Sequence, residues 1–253
     1  MILLGMGRVG QGLEGLARER GVAATPVDRQ SGWSNIAPQG EGPILVCTNA
    51  PDLAAIIEGV PPERRSDLVF IQNGMIGDLL ESKSCGSNTR GLLYFAVPTR
   101  GARPQSGDPS IFTGDHAAAL VRWFDKLGLP ANEVPRLRFV NEMAGKLIWN
   151  CTFGLLCDVH DANVGELVDL HKTDIDALVH DLVRVSNSAL GTTLDPETTI
   201  ASLCGYSQTI PDYQGTLKQW KWRNGWFVEA AARENIEATT HERFLLGRTP
   251  GVR

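Results

Sequence analysis

Lys146 stands in an otherwise apolar run, Glu142-Met143-Ala144-Gly145-Lys146-Leu147-Ile148-Trp149-Asn150-Cys151. Asn150 follows four residues later, so on a helix the two side chains share a face. An ammonium in such surroundings is costly unless it meets a partner or a cleft. The chemistry it suits is proton donation to an oxygen that gains negative charge, as when hydride reaches a carbonyl carbon. Asn150 would orient the lysine or the substrate. By residue type alone, a lysine that lays its stem along apolar surface is the favoured reading, because such lysines are common.

A second constellation lies at the other end of the chain. Gly5-Met6-Gly7-Arg8-Val9-Gly10 follows the apolar run Ile2-Leu3-Leu4 and opens a helix-like segment, the context that a GxGxxG turn requires. Gly5 permits the tight turn, Gly7 lets the backbone approach a pyrophosphate, and Gly10 lets the helix close on the strand. The helix N-terminus then offers free N–H groups and a positive dipole end to the phosphates. A dinucleotide is the expected cofactor, with Gly5, Met6, Gly7, Arg8, Val9 and Gly10 as its cradle. Asp28 and Arg29 end the next strand. An acid there suits the ribose 2′-hydroxyl of NAD, and an arginine suits the 2′-phosphate of NADP. The residues themselves leave both open.

The elements that must position these groups change character along the chain. Apolar runs at Ile2–Leu4, Val22–Val27, Ile44–Cys47, Leu68–Ile71 and Leu92–Val97 read as strands, with helices over Leu13–Arg20 and Ala50–Glu58 between them. Gln72-Asn73-Gly74 reads as an exit turn, and Ser31–Pro43 as a loop. Alternation of this kind predicts a mostly parallel sheet covered on both faces. From about Asn141 the helical period takes over, at Glu142–Cys157, Gly165–His171, Asp174–Leu190 and Leu217–Arg233. Asp195-Pro196-Glu197 looks like a helix start with Asp as N-cap. The expected fold class is α/β: a Rossmann dinucleotide-binding domain over residues 1–137, then an all-α catalytic and substrate domain over residues 138–253, with a ligand cleft between them.

Composition excludes several function classes. The chain has 253 residues, 42% hydrophobic and 21% charged, with a net charge of −5. Two ordered domains fit that length, and the acidic balance offers no footprint for nucleic acid or an anionic membrane. No apolar run approaches the roughly 18 residues of a membrane span, and the N-terminus lacks the pattern of a signal peptide. Five scattered cysteines without a CxxC pair suggest reduced thiols in a cytoplasm. His116, His160, His171, His180 and His241 form no close ligand pair in sequence, so no metal is expected. His160-Asp161 is a dyad in sequence only. The stretch Trp220-Lys221-Trp222-Arg223-Asn224-Gly225-Trp226-Phe227 mixes basic and aromatic residues. It reads as a helix with aromatics inward and charges outward rather than a stacking platform for nucleic acid. There is neither a GxSxG elbow nor a P-loop.

Five islands occur in one order: GMGRVGQG at the start, Gln72-Asn73-Gly74-Met75, Lys146-Leu147 with Asn150-Cys151, Gly165-Glu166-Leu167, and Asn224-Gly225. In that order, over nearly the whole chain, the sequence resembles the ketopantoate reductases, also called 2-dehydropantoate 2-reductases. The second domain is correspondingly similar to the C-terminal domain of 6-phosphogluconate dehydrogenases. The resemblance implies an oxidoreductase in which Lys146 is the general acid, Asn73 lies near nicotinamide and substrate, and Asn150 orients the substrate or the lysine. It places Arg29 where the family selects NADP(H), and Ser207 at the approximate place of a substrate-binding serine. The substrate would be a small 2-oxo acid, and a homodimer is compatible with this reading. Three positions depart from the family pattern. Gln219 stands where the family has a glutamate that fixes substrate hydroxyls. Val164 replaces an asparagine, with Asn163 one residue early, and Asn49 replaces a lysine near the cofactor. These changes open two alternatives: a reductase or dehydrogenase of another substrate on the same scaffold, or a non-catalytic NADP(H)-binding sensor.

Overall fold

Short runs of Ile, Leu, Val and Phe build the sheet of the first unit. The computed structural model describes residues 1–32, 36–105 and 107–248, so part of the expected 31–43 loop lies outside the described residues. The strands are Ile2–Leu4 (β1), Thr25–Val27 (β2), Ile44–Val46 (β3), Leu68–Phe70 (β4), Arg90–Leu92 (β5), Ser110–Thr113 (β6) and Ala131–Glu133 (β7), and they lie in the order β2-β1-β3-β4-β5-β6-β7. All neighbours are parallel except β5 and β6. Every residue of β3 and β4 is buried, as a parallel strand covered on both faces requires. The helices of this unit are Arg8–Glu19 (α1), Leu53–Gly59 (α2), Gly77–Ser82 (α3) and Ala117–Lys126 (α4).

The order reverses around β1, which has β2 on one side and β3 on the other. In open α/β sheets such a reversal leaves a ligand crevice beyond the carboxyl ends of the two central strands. On the packed side, Leu13, Leu16 and Ala17 of α1 join Leu3, Leu45, Val69 and Phe112 of the sheet and Trp123 and Phe124 of α4 in one apolar cluster. Each such large side chain contributes about 1.5–3 kcal/mol by leaving water. The cluster holds the start of α1 rigidly against β1.

The chain divides into compact units at Met1–Phe139 and Val140–Arg253. The division falls near the start of a long helix, Arg136–His160 (α5). Beyond it come Val164–Leu170 (α6), Lys172–Leu190 (α7), Pro196–Thr209 (α8), Asn224–Arg233 (α9) and Thr239–Leu245 (α10). Asp195 caps α8 by accepting from Thr198 N–H at 2.8 Å, as its Asp-Pro start predicts. Asn163 and Glu166 form a reciprocal capping box at α6. This explains the asparagine that arrives one residue early.

The structure departs from the sequence expectations in several places. The strand expected over Leu92–Val97 ends at Leu92; beyond it only Ala96 keeps a bridge, to Gln105. Strands β6 and β7 and helices α3, α4 and α10 have no counterpart in the sequence reading. The helix expected over Leu217–Arg233 begins only at Asn224, after a 3-10 turn at Trp220–Trp222. Among the described residues, no helix is long and apolar enough to cross a membrane.

Candidate functional site

In the first unit the glycine turn fills the sheet's point of reversal. Gly5 ends β1 with φ +101°, a left-handed conformation that favours glycine. A Cβ on Gly5 would lie 2.3 Å from Thr48 Cγ2, just beyond β3. A Cβ on Gly10 would lie 2.0 Å from the Gly5 carbonyl oxygen, so helix and strand could not close on each other with any other residue there. Gly7 differs: its Cβ would meet nothing nearer than 4.0 Å. Gly7 is the N-cap of α1, and no side chain caps that end. The first N–H groups of α1 therefore have neither an intrahelical acceptor nor a side-chain one. A pyrophosphate fits this open, donor-lined turn. Met6 is half-buried, and Val9 packs on the apolar cluster. Arg8 is exposed and reaches the Pro98 carbonyl at 3.4 Å.

Beyond β2, the Asp28 carboxylate accepts from the N–H groups of Gln30 (3.0 Å) and Ser31 (2.8 Å). The backbone bond from Ser31 leads in holding its pKa below the usual carboxylate range. Arg29 is exposed and pairs with Asp52 at 2.7 Å. Asn73 is exposed in the turn after β4, beside Gly74 at φ +106°. The sequence reading passed over its neighbour Gln72. This buried amide donates to the Val46 carbonyl at 2.8 Å and the Thr48 carbonyl at 3.1 Å, tying the exits of β3 and β4 together. Its Oε1 and the hydroxyl of Thr48 are buried without a partner.

In the second unit, Lys146 and Asn150 lie one turn apart on α5. Burial, and then the charge of Arg223, depress the Lys146 ammonium to about 8. Asn150 donates to the Lys146 carbonyl at 2.7 Å. That bond fixes its nitrogen against the helix and leaves its oxygen as the acceptor it can offer. Ser207 of α8 is fully buried. Its hydroxyl donates to the Leu203 carbonyl at 2.9 Å and accepts from the Trp149 indole at 3.0 Å. It anchors the ring that stacks on Phe153. Gln219 is exposed, with its backbone in the left-handed region at φ 54°, which is uncommon for such a residue.

Asn224 and Gly225 open α9. A Cβ on Gly225 would lie 2.6 Å from the Trp220 indole nitrogen, so glycine lets that ring cover the helix start. Buried Asn224 is held by His241 Nε2 at 2.8 Å. The expected outward charges on this stretch need correction. Lys221 is exposed, but Arg223 is only 6% exposed, between buried Trp222 and Asn224. The 3-10 turn before α9 replaces the helical period and turns position 223 inward.

The histidines also group more closely than their spacing suggests. Potential ligand atoms of His160, His171 and Asp174 lie within 4.8 Å of one another. The end of α5 meets the start of α7 through the short α6, which sequence spacing conceals. The two imidazoles stack at 3.7 Å, and His160 Nε2 lies 3.0 Å from the Asp174 carboxylate, without hydrogen-bond alignment. Arg243 approaches the same carboxylate at 3.7 Å.

No protein-family model matches the chain, and no curated protein matches it. Solved structures do share its fold. A PanE/ApbA family ketopantoate reductase from Ralstonia eutropha JMP134 superimposes with a TM-score of 0.79 at 18% identity, covering 96% of each chain. A D-mandelate dehydrogenase, solved with NADH and anilino(oxo)acetate, has a TM-score of 0.73 at 16% identity over 96% of each chain. A dimeric ketopantoate reductase from Staphylococcus aureus has a TM-score of 0.75 at 14% identity, over 97% of this chain and 96% of its own. The chain thus has the ketopantoate reductase fold, a Rossmann unit followed by a helical unit.

Proposed function

We propose that this protein is a nicotinamide-dependent oxidoreductase that reduces the carbonyl of a small 2-oxo acid to a 2-hydroxy acid. Lys146 carries the reading: a lysine on an apolar helix, its ammonium depressed to about 8, close to the working range of a general acid. The shared fold with ketopantoate reductases and D-mandelate dehydrogenase supports it.

A bound reduced nicotinamide supplies the hydride. Gly5, Gly7, Gly10 and the free N–H groups of α1 hold its pyrophosphate, with Met6, Arg8 and Val9 completing the turn. Asn73 contacts the nicotinamide end. Arg29 recognises a 2′-phosphate, so NADP(H) is the proposed cofactor. As the carbonyl electron pair moves onto oxygen, Lys146 gives its proton to that oxygen and recovers one from solvent. Asn150 positions the substrate or the lysine through its free acceptor. Ser207 acts by fixing Trp149. The five free thiols suit a cytoplasmic setting, and the dimeric neighbour supports a homodimer.

Neutral Gln219 favours a second reading on the same scaffold, in which the substrate is a 2-oxo acid other than ketopantoate. Calorimetric titration with NADPH and NADH tests the cofactor step. Tighter binding of NADPH is expected, and absence of binding by either would remove the enzyme reading.

A further inference from the structure

Among the described residues two arginines are almost wholly buried, Arg64 at 2% exposure and Arg223 at 6%, and their surroundings differ. Arg64 is fully engaged: Nε donates to Asp67 at 2.6 Å, and its two terminal nitrogens donate to the carbonyls of Ala37 and Gly42 at 3.1 and 3.0 Å. This is how a guanidinium is normally accommodated away from water. Arg223 has a buried Nε with no hydrogen-bond partner, and no ion pair among the described residues includes it. Its electrostatic neighbours are the thiol of Cys151 and the phenol of Tyr213, and its charge is also felt at Lys146. No acid lies among these neighbours. Residue 219, where the resemblance calls for a glutamate, is a neutral glutamine. The Arg223 guanidinium is therefore buried without a carboxylate partner among the described residues.

We infer that the Arg223 guanidinium is the binding group for the substrate's carboxylate, taken side-on through Nε and a terminal nitrogen while Lys146 serves the carbonyl oxygen. A carboxylate supplies the acceptors that Nε lacks, and a planar fork matches it in two bonds. The assignment rests on the reading of the protein as a 2-oxo acid reductase and adds its specificity residue. It selects an anionic substrate over a neutral ketone of the same shape.

The test titrates oxamate, an unreactive 2-oxo acid isostere, and neutral oxamide into the full-length wild type, Arg223→Leu and Arg223→Lys, each with and without NADPH. Oxamate affinity is expected to fall by about 30-fold or more in Arg223→Leu, typical for loss of one partner of a buried charge pair, and to recover in part in Arg223→Lys. Oxamide and NADPH binding should not change. Ligand-free Arg223→Leu should melt at or above the wild-type temperature, because an uncompensated buried charge is gone, so a failure to fold would be visible separately. Equal oxamate affinity in all three proteins, or no oxamate binding by the wild type, overturns the inference. In that case intact NADPH binding and Lys146-dependent reduction of neutral ketones would leave the reductase reading standing. Failure of that reading shows instead as no NADPH binding and no turnover.

Discussion

The candidate residues of the two units are built in opposite ways. In the first unit the cradle is backbone: glycines at 5, 7 and 10, a helix N-terminus and the exits of β1 and β3. In the second unit it is side chains, Lys146 and Asn150 on α5 and Arg223 before α9, brought together from distant parts of the sequence. A backbone site restricts residue type where the chain closes on itself: a Cβ at Gly10 would lie 2.0 Å from a carbonyl oxygen, and one at Gly5 2.3 Å from Thr48 Cγ2. A side-chain site restricts the environment instead, and its groups are tuned by burial and by one another. At Gly5 and Gly10 the first kind excludes any side chain on steric grounds, whereas Gly7 has open space around its Cβ position.

Breaking the side-chain half should have the largest effect on chemistry. Lys146→Ala is expected to lower kcat by at least about 100-fold, the usual loss for a general acid, with NADPH affinity unchanged by calorimetry; unchanged turnover would remove Lys146 from the reaction. Breaking the backbone half should act differently. Gly10→Ala forces α1 away from β1, so cofactor binding and thermal stability should fall together, by about 1–3 kcal/mol for overpacking. Arg29→Ala sharpens the contrast within the first unit: NADPH should weaken by roughly tenfold or more, the worth of a charged hydrogen bond, while NADH is little affected. Equal weakening of both would mean that Arg29 does not read the phosphate.

A further effect should separate the units by pH. Burial lowers the His241 pKa to about 4 from its ordinary 6.5, and this ring holds Asn224. Between those values the unfolded chain binds the extra proton, so stability is fully present above 6.5 and is lost as pH falls toward 4. The loss is about 3 kcal/mol at most, at roughly 1.4 kcal/mol per pH unit. Acid melting curves should show it in the wild type and not in a folded His241→Gln variant. The same pH dependence in both proteins would contradict the assignment.

The same difference decides what could be read without a structure. Gly5 and Gly10 were legible because backbone constraints leave glycine as the fitting residue, and the alternation of strands and helices followed from buried runs such as Ile44–Val46. Strand β6 was not legible: Ser110–Thr113 is buried at every position, but its polar ends leave only Ile111 and Phe112 as an apolar run. Lys146 was visible as a charge in an apolar run, but its depressed pKa depends partly on Arg223, far away in sequence. Arg223 itself was read as an outward charge. A charge between Trp222 and Asn224 was the available signal, and the helical period assumed for that stretch pointed it the wrong way. The capping box at Asn163 and Glu166 likewise needed the start of α6 to be known.

The central claim is that Lys146 delivers a proton to a carbonyl reduced by nicotinamide. Its most direct test is the rate of NADPH oxidation with a panel of 2-oxo acids across a pH range bracketing 8. A general acid must be protonated to act, so wild-type kcat should fall as pH rises through about 8, and Lys146→Ala should have a residual rate without that step. A wild-type rate that rises through the same range, or a variant that keeps the wild-type profile, would contradict the account.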